Sequence, residues 1–467
     1  MKHVLLSVLS VLVISAFGGK AADSQTLSSH QQLARDIYKE LIEINTTDSV
    51  GSTTIAAEAM AKRLKDAGYP AADVRVLGPE PRKHNLVVRL RGPGGRQPIL
   101  LLAHIDVVEA RREDWSTDPF KLIEQDGYFY GRGTSDNKDM AAIFVANLIR
   151  YKQEGFIPDR DIIVALTADE ELLDLPTNGV DWLLKNHRNL IDAEIALNEG
   201  AGVSLKNGKP FMNRIQLSEK IFVTYRLEVK DRGGHSATPR KDTAINRLAE
   251  GLARLARYDF PTKLTDATRG YFDRIANLET GPDAADMRAI LSEPPDAAAA
   301  ARLSTRPNYN AQLRTTCVAT RLEAGHADNA LPQSAHAIVN CRVLPGESVS
   351  GVRETFVKLL GDDRITVTQV GGYTLSPPSP LKPEIVQAIE KVSAEFWPGI
   401  PLVPTMSTGA PDSRFLRNAG IATYGHSGLA GEIGEGRAHG KDERLLVKSL
   451  YEGLEYLYRL VKVLSLR

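Results

Sequence analysis

The sequence predicts a large α/β domain, with helices on both faces of its sheet, interrupted by a small α+β domain of four strands and two helices. Three observations carry the prediction. Short, almost wholly apolar runs alternate with helix-spaced apolar residues in the first half of the chain, as strands buried on both faces between helices require. From about Leu217 apolar and polar residues alternate strictly, the pattern of a sheet with one solvated face. Beyond a Gly-, Ser- and Pro-rich stretch at Gly371–Pro383 the first texture returns. At 467 residues the chain is also too long for one ordinary core.

Residues 1–22 read as a signal peptide. Lys2 and His3 precede an apolar run from Val4 to Phe17, and small residues around Ala21 suit cleavage. The run is short for a membrane span of about 20 residues. The expectation is therefore export, periplasmic or secreted, with no stable membrane association after signal removal.

Residues 23–216 form the first part of the large domain. Leu33, Ile37 and Leu41 recur at helical spacing; Ile55, Met60 and Leu64 mark a second helix, stopped by Gly68. Val74–Leu77 and Leu86–Leu90 read as strands, followed by the stretch Pro98–Val108, an apolar strand from Ile99 with His104 and Asp106 on one side at or near its carboxyl end. Tyr128–Tyr130 is a strand that enters the loop Gly131–Asp139, and an Ala-rich helix follows from about Met140 to Tyr151. Ile162–Thr167 and Ile195–Leu197 are two more buried strands.

Residues 217–372 form the small domain. Ile221, Val223, Tyr225, Leu227 and Val229 alternate with polar neighbours; a helix capped by Asp242 carries Ile245, Leu248, Leu252 and Leu255. A mostly helical, Ala-rich insertion occupies about 257–309. Strands at Leu313–Leu322, Ala335–Val343 and Ile365–Val370, and a helix with Val352, Phe356 and Leu360, complete the unit. Residues 373–467 return to the large domain, with helices at Glu384–Phe396 and from about Leu445, and a strand at Ile421–Tyr424.

Composition narrows the partners. The 58 basic and 58 acidic residues cancel, which argues against nucleic acid, since binding it takes a basic excess. Cys317 and Cys341 are too few for a Cys-rich metal site. They either pair across a sheet, as an exported protein allows, or stay as two buried thiols.

Four strand ends in the large domain finish in metal-ligating side chains: His104 with Asp106, Asp136, Glu170 with Glu171, and Glu199. His439 precedes the last helix. Strand ends at the carboxyl edge of an α/β sheet are where ligands bind. Two histidines with three carboxylates suit two Zn²⁺-like ions sharing one bridging carboxylate. The charges of Asp136, Glu171, Glu199 and a bridging hydroxide would cancel those of two divalent cations. Glu170 is then free to act as a base.

These residues resemble a known family. His104-Ile105-Asp106, Gly131-Arg132-Gly133-Thr134-Ser135-Asp136-Asn137-Lys138, Asp169-Glu170-Glu171 and Gly233-Gly234-His235-Ser236-Ala237-Thr238-Pro239 look like segments of the co-catalytic zinc hydrolases. That family includes carboxypeptidase G, aminoacylase, carnosine dipeptidase and succinyl-diaminopimelate desuccinylase. The motifs occur in family order, and the likeness spans about residues 30 to 465.

The resemblance implies a zinc-hydrolase catalytic domain with a mixed sheet and a lid domain that dimerises. It implies two zinc ions per subunit: His104 and Glu199 on one, Glu171 and His439 on the other, Asp136 bridging. Cobalt or manganese would suit similar donors. Asp106 would orient His104, Glu170 would be the general base, and the peptide after Asp136 would be cis. His235 would reach the active site of the other subunit of a homodimer and stabilise the oxyanion. Arg342 would bind the substrate carboxylate, Asn329 would add a polar contact, and Gly409 would lie in a substrate loop. That loop reads Gly-Ala-Pro where the family more usually has Gly-Gly-Thr. His326, His336 and His426 match no ligand position and read as structural.

The expected function is an exported dizinc metallopeptidase, of dipeptidase or carboxypeptidase type, acting on small peptides with a free carboxylate. The alternatives are an N-acyl amino acid deacylase of the same family and a catalytically silent binding protein of the same fold.

Overall fold

The computed structural model describes residues 26–172 and 176–466. The leader read at residues 1–22 lies outside them. No helix of the described residues is long and apolar enough to cross a membrane.

Ten strands form one large mixed sheet. At its centre Ile99–His104 runs parallel to Ile162–Thr167 on one side and to Ile195–Asn198 on the other. Side chains alternate along each strand, so each strand feeds two cores. Ile99, Leu101 and Ala103 pack on one face, with Ile162, Val164 and Leu166 and the helices Ser29–Glu43, Thr53–Asp66, Lys138–Gln153, Pro383–Phe396 and Val447–Ser465. Leu100, Leu102, Ile163 and Ala165 pack on the other, with Val180, Leu183 and Leu416 from the helices Gly179–Asn186 and Ser413–Asn418. The continuous apolar runs are the direct consequence.

A four-stranded antiparallel sheet forms the small unit, in the order Thr316–Ala324, Ser334–Val343, Ile221–Lys230, Ile365–Val370. The strands Ile221–Lys230 and Ser334–Val343 are half-buried in alternation, the edge strand Thr316–Ala324 is mostly exposed, and the helices Ala244–Ala256 and Val349–Leu360 share the core of the apolar face. The first helix is capped by Thr243, whose side chain accepts from the Asn246 N–H; Asp242, the cap expected from the sequence, lies one residue earlier. Register places Cys317 opposite Cys341, and the two form a disulfide.

Several strands carry no apolar signature. Lys209–Glu219 buries Asn213, Gln216, Ser218 and Glu219 completely. Some of their polar atoms are held internally: Asn213 donates to Ser393 at 2.7 Å, Gln216 to Glu219 at 3.1 Å, and Glu219 pairs with Arg417. A buried polar strand has no hydrophobic period to detect. Lys220 alone separates it from Ile221–Lys230, so the chain passes straight from the large sheet into the small one.

The helices Asp266–Leu278, Pro282–Ala289, Ala297–Leu303 and Pro307–Leu313 follow the small domain's first helix in sequence but pack elsewhere. Phe272, Ile275, Met287 and Leu303 make a core with Met212 and Val403, which belong to strands of the large sheet.

Candidate metal centre

Three parallel strands deliver most of the site. His104 is the last residue of Ile99–His104; Glu170 and Glu171 lie just past Ile162–Thr167, and Glu199 follows Ile195–Asn198. Because the strands are parallel, these ends lie along one edge of the sheet. Gly200 lets Glu199 turn there: its φ is +115°, and a Cβ would stand 2.0 Å from Gln216 Oε1. Asp136 comes from the loop before Lys138–Gln153, and His439 from the loop before Arg444–Leu446.

Two triads result, His104–Asp136–Glu199 and Asp136–Glu171–His439, with the ligand atoms of each within 4.8 Å of one another. Asp136 belongs to both. Its Oδ1 lies 3.0 Å from His104 Nε2, and its Oδ2 lies 3.1 Å from His439 Nε2. Glu199 stands 3.7 Å from His104, and Glu171 stands 2.9 Å from His439. The Asp136–Asn137 peptide is cis.

Neighbouring groups fix these side chains. His104 Nδ1 is 3.1 Å from the main-chain oxygen of Asp106 and 3.5 Å from its carboxylate. A proton shared there leaves the Nε2 lone pair facing Asp136 and Glu199. The Asp106 carboxylate accepts from the backbone N–H groups of Glu170 (3.2 Å) and Glu171 (3.0 Å), which pins the acidic turn to the histidine strand. Lys83 holds Asp169 of the same turn at 2.6 Å. Buried Glu443 organises the other loop: it accepts from the Gly133 and Ser135 N–H groups at 3.1 and 2.7 Å and pairs with Arg132 at 2.6 Å. Nothing in the local sequence marks Glu443, because its partners lie more than 300 residues away.

The electrostatics fit a pair of cations. Burial and neighbouring carboxylates push Glu199 above the usual carboxylate range, and burial with the Glu199 charge does the same to Glu170. Burial opposes charge on His104, yet the Glu199 charge and bonds to Asp106 and Asp136 hold its pKa well above the ordinary value. Bonds to Asp136 and Glu171 raise His439 to about 10. The carboxylates thus draw positive charge onto both imidazoles. Mixed imidazole and carboxylate donors, with one carboxylate common to two groups, are a candidate donor set for metal ions.

The remaining predicted residues lie elsewhere. Arg342 stacks 4.7 Å over Phe222, its register partner, and donates to the main-chain oxygen of Thr408 at 3.2 Å. Gly409 follows, its N–H donating to Ser407 Oγ at 3.0 Å. His235 pairs with Ala330, and Asn329 accepts from the Ser236 N–H at 3.0 Å, so His235 and Asn329 share one exposed corner. Among the described residues no hydrogen bond or ion pair joins that corner to the triads.

Comparison with known proteins identifies the family. "Probable carboxypeptidase S-like 2" of Dictyostelium discoideum is 29% identical over 380 residues, covering 78% of this chain and 71% of that protein. "N-fatty-acyl-amino acid synthase/hydrolase PM20D1" of Homo sapiens is 29% identical over 376 residues, covering 78% and 74%. The crystal structure of an M20 family metallo-carboxypeptidase from Sulfolobus solfataricus superposes with a TM-score of 0.70 at 16% identity, covering 92% of this chain and 98% of that one. The family model for Peptidase family M20/M25/M40 matches residues 100–463, and the chain is a hydrolase of that family.

Proposed function

We propose that the chain is an exported, zinc-dependent peptidase that cleaves the amide bond of a small peptide carrying a free carboxylate. The observation that carries this reading is the pair of triads sharing Asp136, with Glu170 on the same turn as Glu171. His104 and Glu199 would hold one Zn²⁺, Glu171 and His439 a second, and Asp136 both. When bound, such a pair polarises a carbonyl and lowers the pKa of water enough for attack at neutral pH. Glu170 takes the proton of the attacking water on its carboxylate and hands it to the leaving amine nitrogen. A pKa raised by burial suits a group that must hold a proton before releasing it. Arg342, beside Thr408 and Gly409, receives the free carboxylate through its planar fork. Asn329 adds a polar contact.

His235 serves the active site of a second subunit in a homodimer. Support comes from the edge strand Thr316–Ala324, where Val318 and Leu322 are 61% and 63% exposed and one row of backbone groups is open to pairing. A second reading, hydrolysis of N-acyl amino acids, is favoured by the similarity to an N-fatty-acyl-amino acid synthase/hydrolase.

Metal analysis of the purified protein tests the proposal, together with hydrolysis of dipeptides and N-acyl amino acids before and after chelation. The expected result is about two zinc ions per chain and hydrolysis that chelation abolishes and zinc restores. A metal-free protein, or hydrolysis indifferent to chelation, overturns it. The substrate panel separates peptidase from deacylase.

A further inference from the structure

A cavity of about 410 Å³ opens beside the triads, and Asp136 and Glu199 both line it. Arg214, from the strand Lys209–Glu219, lines it as well. Three buried arginines pair with glutamates: Arg132 with Glu443, Arg160 with Glu194 and Arg417 with Glu219. Arg214 differs from these three. It makes no ion pair among the described residues, and burial draws its pKa down with only Tyr271 opposing. Its Nε donates to the Gly202 oxygen at 3.3 Å, and its main-chain oxygen is 2.8 Å from His426 Nδ1.

A half-buried cation without a counter-ion costs free energy that a bound anion recovers. The guanidinium fork matches a carboxylate in two parallel hydrogen bonds. The cavity begins at two of the proposed metal ligands, so a substrate whose scissile carbonyl sits there can extend its acyl side toward Arg214. Arg342 is already assigned to the carboxylate on the amine side. We propose that Arg214 anchors a second carboxylate, on the acyl side of the scissile amide. The preferred substrates are then acidic at both ends: amino acids acylated by a short dicarboxylic acid, or dipeptides beginning with Asp or Glu. This rests on the amide-hydrolase reading above.

Matched pairs test it with the zinc-loaded enzyme. N-succinyl is compared with N-butanoyl on one amino acid, and a Glu-initiated dipeptide with its Gln counterpart. In parallel, calorimetry compares binding of succinate and butyrate, which needs no turnover. The expected result is an acidic-to-neutral ratio in kcat/KM of about 10 to 100 for at least one pair, from a charged hydrogen bond of ordinary strength. Succinate binds more tightly than butyrate by a similar factor. Arg214→Gln collapses both ratios and Arg214→Lys keeps part of them. The favoured pair identifies the source of the carboxylate. If Arg214→Gln does not fold, the wild-type ratios decide. Amide hydrolysis with no acidic preference and no tighter succinate binding overturns the subsite and leaves the hydrolase reading standing. Acidic preference unchanged in a folded Arg214→Gln also overturns it. Tighter succinate binding that depends on Arg214, without cleavage of any amide, upholds the subsite and defeats the hydrolase reading.

Discussion

His104 is 2% exposed at the end of a strand buried on both faces, and residues from its two parallel neighbours complete its surroundings. His235 stands exposed on a two-residue strand at a loop corner, with Asn329 beside it. The first kind of placement is over-determined: Asp106 and Lys83 both hold the acidic turn at Asp169–Glu171, and Glu443 holds the loop that carries Asp136. The second is held by a short strand pair and backbone hydrogen bonds, with no hydrogen bond to the triads among the described residues. The contrast is one of support: the triads sit on the buried ends of the central sheet, whereas the His235 corner is an exposed loop.

The sharpest way to break that contrast is to damage each region in a different subunit. Glu170→Gln keeps the size of the side chain but removes its basicity, and turnover should fall about 10²- to 10⁴-fold with metal content unchanged. His235→Ala should cost about 10²- to 10³-fold, the scale for one oxyanion donor. Mixing the two inactive variants should then restore part of the activity, because half of the sites in a mixed dimer would pair intact Glu170 with intact His235 of the other subunit. Mixed dimers that form but stay inactive would show that His235 does not act across the interface.

Stability should divide the regions as well. His426 lies fully buried on the large-domain side, with Nε2 2.6 Å from the Tyr456 hydroxyl, and burial lowers its pKa to about 4. Its unfolded value is about 6.5. Between those values the unfolded chain binds the extra proton, so the histidine's contribution is present above pH about 6.5 and is lost as pH falls toward 4. Up to about 3 kcal/mol should disappear across that window. Melting temperatures of wild type and His426→Gln between pH 7 and 4 measure it, the variant showing the shallower slope. Parallel slopes would mean that another group dominates the acid limb.

How much of this was legible in the sequence follows from the same contrast. The central strands could be read because burial on both faces leaves an apolar run such as Ile99–Ala103, and the candidates His104, Glu170, Glu171 and Glu199 stand out because each ends or follows such a run. The strand Lys209–Glu219 could not, because the residues it buries at 213, 216, 218 and 219 are polar, and contacts such as Asn213–Ser393 and Glu219–Arg417 reach partners far away in sequence. Glu443 was invisible for the same reason: its role exists only once the chain has brought it to Gly133. Asp106 was read as the residue that aims His104. The structure gives its main-chain oxygen the nearer contact with the ring and its carboxylate the task of holding the Glu170–Glu171 turn.

That division of labour makes Asp106→Asn the finest test of the comparison. Each carboxylate oxygen of Asp106 accepts one backbone N–H, from Glu170 and from Glu171. An asparagine keeps one acceptor and turns an NH₂ toward the second N–H, so the acidic turn must shift. The main-chain oxygen near His104 Nδ1 is unchanged, so the ring keeps its orientation. The loss should therefore fall on the triad that uses Glu171 and on Glu170 as base, and spare the triad of His104 and Glu199. Metal affinity and turnover should drop about 10- to 100-fold, the usual cost of removing a group that orients a ligand. Graded chelation should remove one metal ion per subunit well before the other. If both ions leave together, Asp106 supports the two triads equally, and the site is one rigid unit rather than two joined at Asp136.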